Sequence, residues 1–310
     1  HRDLHSFPTR RSSDLFINLD DLSNDDLQQI IDQAITLKKQ HKAGEICNTL
    51  KNKTLAMIFD KSSTRTRVSF EAGMVQLGGH ALFLSNKDIQ IGRGEPITDS
   101  AVVISSMVDC IMLRVSSHED ISTFAKYSSV PIINALSDES HPCQLLADMM
   151  TYQEQNGSIK DKTVAWIGDG NNMCQTYMQA AKAFGFTLNI ATPKGYEPDQ
   201  SFVDQYADYI NLCKDANSAC HDADLVVTDV WASMGQEAEK KKREFDFKDF
   251  QVDTNLMSQA KSDAVFMHCL PAHRGEEVSA NVIDGKQSLV WSEAENRLHS
   301  QKALLLYLLG

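Results

Sequence analysis

Hydrophobic and polar residues follow a helical period in some parts of the chain and form short apolar runs in others. Near the start, five apolar residues recur at the three- and four-residue spacing of one helix face. They are Leu27, Ile30, Ile31, Ala34 and Leu37. Ser23 and the acidic residues after it suit the beginning of this helix. The run TLAMIF then predicts a buried strand, and Val68, Ala72 and Val75 predict a second helix with one apolar stripe.

The alternation of strand-like and helix-like segments continues to the end of the chain. Strand-like runs include HALFL, IMLRV, SVPIINAL, TVAWIGDG, TLNIATP, ADLVVTDV and AVFMHCL. Helices are predicted over 199–213 and over the C-terminal SEAENRLHSQKALLLYLLG. Such alternation is typical of parallel sheets with helices on their faces. The predicted fold class is α/β, with two domains, each a mostly parallel sheet flanked by helices, and an active site in the interdomain cleft.

The polar, turn-rich stretch TYQEQNGSIKDK predicts the boundary between these domains. We expect a first domain over 16–150, a second over 151–290, and a C-terminal helix over 291–310 that packs back on the first domain. Residues 1–15, HRDLHSFPTRRSSDL, have no apolar periodicity and predict a foreign, disordered leader. Their HRDL matches a protein-kinase catalytic loop, but the glycine-rich loop and strand lysine that a kinase needs upstream are absent from the sequence.

Charge and cysteine usage limit the class of partner and the compartment. The formal net charge of -12 argues against a nucleic-acid partner, so any bound anion must meet a local basic pocket. The 7 cysteines are scattered without a C-x-x-C pair, which favours free thiols in a reducing cytoplasm. No apolar run approaches the roughly 20 residues of a membrane span, and no segment resembles a signal peptide. We therefore expect a cytoplasmic protein with no membrane partner.

The stretch IFDKSSTRTRVSFEAG combines a strand end, several hydroxyl groups and two arginines. A helix that begins near Thr64 or Thr66 presents unpaired backbone N–H groups and the positive end of its dipole to an anion. Ser63 adds a hydroxyl donor, and Arg65 or Arg67 supplies a planar fork suited to phosphate. The alternative is a capped helix with solvent-facing arginines. Because residues two apart on a helix cannot share a face, we expect Arg65 to bind phosphate and Arg67 to be structural.

The segment DESHPCQLLADMM places polar side chains at another helix entrance. Pro142 suits the first turn, so His141 and Gln144 lie where the helix begins. A neutral histidine can donate to a carbonyl oxygen, and a glutamine can donate and accept. Both are ligand-binding candidates, although such a histidine is often only a cap or a buried residue with a partner.

The segment VAWIGDGNNM has half of a dinucleotide-binding fingerprint. Gly168 and Gly170 fit it, but Met173 stands at the third glycine position and no acidic residue ends the next strand. A nicotinamide cofactor is therefore not expected. The turn can still present Asn171 or Asn172 to a ligand at the carboxyl end of the sheet.

Two later strand ends carry a carboxylate and a thiol. Asp229 follows ADLVVT and suits an amino group, while Cys269 follows AVFMH, with Pro271 fixing the turn behind it. A free cysteine is also common as an inert core residue. His268 and His273 lack the ligand array that zinc uses, so no metal is expected.

Together, STRTR, HPCQ, DVWASMGQE and HCLP resemble the motifs of the aspartate/ornithine carbamoyltransferase family, in particular its ornithine-binding members. The resemblance extends from Phe16 to the last helix. It implies that the first domain binds carbamoyl phosphate and the second binds ornithine. Aspartate-specific members share the phosphate motif but lack the SMG loop and the cysteine of HCLP.

The resemblance implies a role for residues from most of these motifs. Implied carbamoyl-phosphate contacts are Ser63, Thr64, Arg65, Thr66, Gln90, Arg114, His141, Gln144, Cys269, Leu270 and Arg297. Implied ornithine contacts are Asn172, Asp229, Ser233 and Met234. Implied catalytic residues are Cys269, Arg114 and His141. Gln175 and Thr176 depart from an Asn-Ser pair that is frequent in the family, which changes the neighbours of Asn172.

The implied reaction is attack of the neutral δ-amine of L-ornithine on the carbonyl carbon, which yields L-citrulline and phosphate without a cofactor. Arg114, His141 and Thr66 would stabilise charge on the carbonyl oxygen. Cys269 would either accept a proton from the amine or orient it, and both roles stay open.

The resemblance also implies a homotrimer in which the Gln90 loop reaches a neighbouring subunit's site. Assembly beyond a trimer stays open, as does the choice between arginine biosynthesis and carbamoyl-phosphate recovery. A related carbamoyltransferase acting on putrescine or a modified ornithine is the alternative enzyme. A non-catalytic, anion-binding relative is the alternative from another class.

Overall fold

The computed structural model describes residues 14–85, 89, 94–232 and 239–310. The chain divides into two compact units. Unit 1 contains the chain up to Leu146 together with Arg297–Gly310, and unit 2 contains Ala147–Asn296. Each unit is built on one five-stranded sheet in which every neighbouring pair of strands is parallel. The predicted α/β class with two helix-flanked parallel sheets is confirmed.

In unit 1 the strands lie in the order β1-β5-β4-β2-β3. Their bounds are β1 Leu15–Phe16, β2 Thr54–Phe59, β3 His80–Ser85, β4 Cys110–Arg114 and β5 Ile132–Leu136. The helices are α1 Asn24–Lys42, α2 Thr64–Gln76, α3 Ile97–Ser105, α4 His118–Tyr127, the start of α5 Pro142–Asn156 and the end of α12 Val290–Leu309. Ser23 caps α1 by accepting from the backbone N–H of Asp26, and the five apolar residues predicted for its inner face are buried.

Helix α2 buries a different face from the one that its apolar residues predict. Val68 and Val75 are 58% and 67% exposed, whereas the buried residues are Thr66, Ser69, Phe70, Gly73 and Met74. The predicted helix is present, but its apolar stripe is not the buried face. The reason is a close helix contact: a Cβ at Gly73 would lie 3.4 Å from Cγ of Lys302 on α12, so small residues face that neighbour. The valines are left on the surface.

In unit 2 the strands lie in the order β10-β9-β6-β7-β8. Their bounds are β6 Thr163–Ile167, β7 Thr187–Ala191, β8 Ile210–Leu212, β9 Leu225–Thr228 and β10 Val265–His268. The helices are α6 Asn172–Phe184, α7 Gln200–Gln205, α8 Ala216–Cys220, α9 Lys240–Asp246, α10 Thr254–Met257 and α11 Ala280–Ile283. Short 3-10 turns cover Leu19–Asp21 in unit 1 and Lys248–Phe250 in unit 2.

The helix predicted over 199–213 is wrong in its second half. Helix α7 ends at Gln205, and the chain then forms the edge strand β8, whose Ile210 pairs with Leu188 of β7. The side chain of Asn211 also donates to Asn189 at 2.9 Å. Edge pairing with β7, which the local sequence does not encode, decides this segment.

The glycines of the GDG turn serve the packing of unit 2. Gly168 has φ 138°, a conformation that side chains disfavour, and its N–H donates to the carbonyl of Ala191 at 3.0 Å. A Cβ at Gly170 would lie 2.2 Å from the backbone nitrogen of Pro198. The turn therefore needs both glycines for its own geometry, without a dinucleotide.

All 7 cysteines lie among the described residues, and all are free thiols. Within the ranges that the structure covers, no helix has both the length and the apolar character required to cross a membrane.

Candidate active site

The STRTR segment forms the beginning of α2 in unit 1. Ser63 is the N-cap: its hydroxyl accepts from the Thr66 N–H at 3.4 Å and donates to the Thr66 hydroxyl at 3.1 Å. The first turn contains no acidic residue, so no carboxylate within it offsets the positive end of the helix dipole. The cap and the anion-binding features predicted from the sequence therefore occur in the same turn.

Arg297 connects this turn to the HPCQ segment. It lies on α12 and is 2% exposed. Its Nη1 donates to Oε1 of Gln144 at 2.5 Å, and its Nη2 donates to the Thr66 hydroxyl at 3.1 Å. Three residues from separate predicted motifs thus form one buried polar cluster in unit 1.

Arg114 ends strand β4, whereas His141 lies at the start of α5, in the segment that follows the neighbouring strand β5. Arg114 is the last residue of β4, at a register shift against β5 that re-aims the strand end, and is 6% exposed. His141 precedes Pro142, the first residue of α5, and is also buried. Both side chains are therefore buried in the interior of unit 1.

Electrostatics keep the His141 ring neutral. Burial, followed by the positive charges of Arg297, Arg114 and Arg65, holds the pKa of His141 well below its ordinary value of 6.5. These four residues therefore act on one another electrostatically. At neutral pH the ring can offer one N–H to a carbonyl oxygen beside three cations. This combination suits an anion with a polarised carbonyl group.

Asp229 and Cys269 meet at the carboxyl edge of the unit 2 sheet. Strands β9 and β10 are parallel neighbours with Thr228 opposite His268, so the residues that follow them are adjacent. The Cys269 thiol donates to Oδ1 of Asp229 at 3.2 Å. The predicted carboxylate and thiol are thus in direct contact.

Asn171 holds the other side of this carboxylate. Its Nδ2 donates to Oδ2 of Asp229 at 2.8 Å, while its Oδ1 caps α6 by accepting from Met173 N–H at 3.0 Å. Asn172 is the first residue of α6, and its carbonyl accepts from the Thr176 hydroxyl at 2.6 Å. The asparagine that contacts Asp229 is therefore Asn171, whereas Asn172 is adjacent to it at the helix start.

The Cys269 thiol lies in a negative environment. Burial raises the pKa of Cys269 well above its ordinary value of 9.0, and the charges of Asp229, Glu293 and Asp148 add to the shift. The residue is therefore a protonated S–H donor at neutral pH. Asp148 lies in the segment DESHPCQLLADMM and Glu293 in the C-terminal SEAENRLHSQKALLLYLLG. Sequence reasoning missed their role, because nothing in the local sequence indicates that their charges act on Cys269.

His268 and Glu277 stabilise the turn that carries Cys269. Nδ1 of His268 accepts from the Leu270 N–H at 2.9 Å, and Nε2 lies 3.2 Å from Oε1 of Glu277. Leu270 has φ 57° and is followed by a cis bond to Pro271. Ligand atoms of Asp229, His268 and Cys269 lie within 4.8 Å of one another, but both ring nitrogens of His268 already make hydrogen bonds.

Three predicted contact residues, Gln90, Ser233 and Met234, lie outside the described residues. The sequence also did not identify Gln301, which lies one turn after Arg297. With its amide oxygen oriented toward Arg297, Gln301 accepts from Nε of that residue at 3.2 Å. The i+4 spacing on α12 is the signal that could have found it.

The chain matches two parts of one known family. Residues 15–154 match the aspartate/ornithine carbamoyltransferase carbamoyl-P binding domain, and residues 160–308 match the Asp/Orn binding domain of the same family. A protein of Ruthia magnifica subsp. Calyptogena magnifica named ornithine carbamoyltransferase is 78% identical over 295 residues, which are 95% of this chain and 99% of that protein.

Solved structures show the same similarity. An ornithine carbamoyltransferase from Pyrococcus furiosus has a TM-score of 0.92 and 50% identity, covering 95% of this chain and 96% of that chain. One from Burkholderia thailandensis E264 has a TM-score of 0.89 and 53% identity, covering 95% and 98% respectively. Residues 1–14 lie outside both family matches. That the chain begins with a foreign leader therefore stays a prediction.

Proposed function

The chain belongs to the aspartate/ornithine carbamoyltransferase family, and we propose that it transfers the carbamoyl group of carbamoyl phosphate to the δ-amine of L-ornithine, yielding L-citrulline and phosphate. The observation that carries the reaction class is the neutral His141 among the cations Arg297, Arg114 and Arg65. Charge develops on the carbonyl oxygen and on the departing phosphate, and this group can stabilise both.

The phosphate is bound at the beginning of α2. Ser63, Thr64 and Thr66 offer hydroxyl groups, the first turn offers backbone N–H groups, and Arg65 supplies the charge. Arg297 steadies this turn through its bond to Thr66. Gln90 completes the phosphate site from a neighbouring subunit.

The carbonyl oxygen is polarised by Arg114 and His141, and Gln144 binds the carbamoyl amide. A well-placed donor of this kind contributes about 3 to 4 kcal/mol to stabilisation of the transition state. The pairing of Gln144 with Arg297 orients the glutamine amide, because Oε1 is already occupied as an acceptor.

Ornithine is bound by Asp229, Asn172, Ser233 and Met234. Asp229 is the anionic partner of the substrate's amino groups, and Asn171 fixes the direction of that carboxylate. Since the Cys269 thiol keeps its proton and donates it to Asp229, it is a poor proton acceptor. We therefore assign it the role of orienting the amine, through its sulfur and its hold on Asp229, with Leu270 beside it. The ammonium form has no lone pair, so the amine first gives one proton to solvent. The neutral amine then attacks the carbonyl carbon and a C–N bond forms. As the C–O bond to phosphate breaks, the nitrogen gives its second proton to the departing phosphate.

A citrulline assay with ornithine and putrescine in parallel tests the substrate assignment. Citrulline should form with carbamoyl phosphate and L-ornithine, with much slower carbamoylation of putrescine. Equal or better turnover of putrescine would show that the alternative diamine substrate is correct. No product with either amine would support a non-catalytic relative.

The exposed apolar surface of unit 1 supports a homotrimer. Seven apolar side chains on α2, β3, α3 and the turn after α3 are at least 36% exposed. They are Val68, Val75, Leu82, Phe83, Val102, Val103 and Met107. Exposed apolar side chains that lie together in one patch are typical of a protein interface, and burial of these residues between subunits would remove them from water. A measurement of the molar mass of the protein in solution would show whether trimers assemble further.

We propose that the protein is cytoplasmic and that it acts in arginine biosynthesis. The free state of all 7 cysteines supports a reducing compartment. Steady-state kinetics in both directions test the pathway assignment: a strong preference for phosphorolysis of citrulline would indicate carbamoyl-phosphate recovery.

A further inference from the structure

Lys302 is a buried cation that the proposed reaction does not use. It lies on α12, is 2% exposed, and packs its stem over Gly73 of α2. Its Nζ donates to Oε1 of Gln76, the last residue of α2, at 3.0 Å. This acceptor is a neutral amide. Across the described ranges, no carboxylate lies within ion-pair distance of Lys302.

A buried cation without an anionic partner is energetically unfavourable. Removing an ammonium from water costs several kcal/mol, and a neutral amide oxygen offsets only part of this. Burial accordingly lowers the pKa of Lys302 below its ordinary value of 10.5, and the opposing effect comes from the Cys47 thiol. A bound anion would supply the missing partner.

Lys302 also lines a cavity that opens to the surface of unit 1. The cavity has a volume of about 420 Å³, within the range of about 300–1,000 Å³ typical of small-molecule sites. Its walls come from the ends of α1 and α2 and from the loop between α1 and β2. Polar groups in these walls include Gln40, Asn48 and Thr49. The cavity thus combines one deep positive charge with neutral hydrogen-bonding groups.

The charge at the rim limits what the cavity can hold. Glu45 is an exposed carboxylate in the wall, and the whole chain carries a formal net charge of -12. A polyphosphate would be repelled by both, whereas a single anionic group on a small molecule would meet Lys302 at short range.

We infer that this cavity is a second small-molecule site, in which Lys302 binds one carboxylate or phosphate group of a small organic anion. The Lys302 site shares no residue with the carbamoyl-phosphate contacts assigned above. The inference is therefore independent of the proposed reaction, and it can be tested without measuring activity.

Cys47 provides a local readout. It lines the same cavity, is half-buried, and its Sγ lies 3.3 Å from the Thr49 hydroxyl. Alkylation by iodoacetamide, a neutral reagent, can be followed at Cys47 by peptide mass spectrometry. Cys213 in unit 2, also half-buried, is the internal reference. The probes are sodium acetate and inorganic phosphate, each compared with sodium chloride at the same ionic strength.

The alkylation rate of Cys47 should fall about threefold when the anion is at twice its Kd, because the free site is then one third of the total. Cys213 should not respond. Protection by acetate alone identifies a carboxylate ligand, and protection by phosphate alone identifies a phosphate ligand. Equal rates in acetate, phosphate and chloride would overturn the inference.

Two variants link this protection to Lys302. Lys302→Met keeps the stem that packs on Gly73 but removes the charge, and should abolish protection. Protection that persists in this variant would contradict the assignment.

Gln76→Glu keeps the shape of the partner and supplies the missing carboxylate 3.0 Å from Nζ. It should raise the Tm in the absence of added anion and remove the response to acetate and phosphate. A lower Tm would show that Lys302 does not lack an anionic partner, even if Lys302→Met fails to fold.

Discussion

Nη1 of Arg297 lies 2.5 Å from Oε1 of Gln144, although 153 positions separate the two residues in the chain. The same guanidinium reaches Thr66, which is 231 positions away. One side chain on the last helix therefore steadies both the phosphate-binding turn and the amide proposed to contact the carbamoyl group.

Arg297→Lys should raise the KM for carbamoyl phosphate and lower kcat/KM by about 10- to 100-fold. A lysine cannot reproduce the planar fork, and each lost charged hydrogen bond is worth about 1.5–3 kcal/mol. Steady-state kinetics with varied carbamoyl phosphate measure the effect. Arg67→Lys is the matched control, because Arg67 is exposed and bonds only to Glu71 and the Phe83 ring among its described contacts. A similar loss in both variants would contradict the role of Arg297.

His141→Asn should weaken the dependence of the free energy of unfolding on pH below about 6.5. In the wild type the buried ring is neutral when folded but gains a proton when unfolded, since its folded pKa is well below 6.5. The unfolded state then binds more protons, so the free energy of unfolding falls as pH drops below about 6.5, by up to about 1.4 kcal/mol per pH unit. Urea unfolding from pH 8 to pH 5 measures this slope. An unchanged slope in the variant would show that His141 is not the group responsible.

Asp229→Asn should make the Cys269 thiol more reactive. Besides burial, the Asp229 carboxylate is the largest cause of the raised pKa of Cys269, so its neutralisation favours the thiolate. At pH 9 the iodoacetamide reaction at Cys269 should be slow in the wild type and clearly faster in the variant. The rate at Cys213 should not change between the two proteins. A slower reaction at Cys269 in the variant would contradict the electrostatic interpretation.

Arg243→Met should destabilise unit 2. Nη1 of Arg243 donates to Asp169 at 2.6 Å and to the Trp231 carbonyl at 2.7 Å. The side chains of the ion pair, Arg243 and Asp169, are both buried. Removal of one member leaves a buried carboxylate without its partner, at a cost of about 3–5 kcal/mol in the free energy of unfolding. Lys242→Met, which breaks an exposed pair with Asp246, is the control and should have no measurable effect. Equal stability of both variants would exclude a structural role for the buried pair.

Val103→Glu should dissociate the proposed trimer. Val103 is 48% exposed in unit 1, and a carboxylate buried in an apolar interface is strongly unfavourable. Light scattering after size-exclusion chromatography should give a smaller mass than for the wild type. Leu212→Glu is the matched control, because Leu212 is 59% exposed on the edge strand of unit 2. A trimer that persists in Val103→Glu would place the interface elsewhere.

Local sequence decides most elements of this fold. The spacing of Leu27 and Ile31 specifies the inner face of α1, and the apolar run TLAMIF is β2 at its predicted bounds. Capping residues also act locally, as Ser63 and Asn171 do at the starts of α2 and α6. Such features depend on neighbours a few residues apart, so a single sequence can reveal them.

Contacts between residues that are distant in the sequence form only in the folded chain. The outward face of α2 follows from the close approach of α12 at Gly73, and the edge strand β8 follows from pairing with β7. The sequence by itself determined the two α/β sheets, the capped helix starts and the chemistry of the motif residues. Only the tertiary structure decided that Asp229 meets Cys269 and that Arg297 meets Gln144. The reason is physical: strand order and helix packing set the distances between these atoms and the burial that shifts their pKa values.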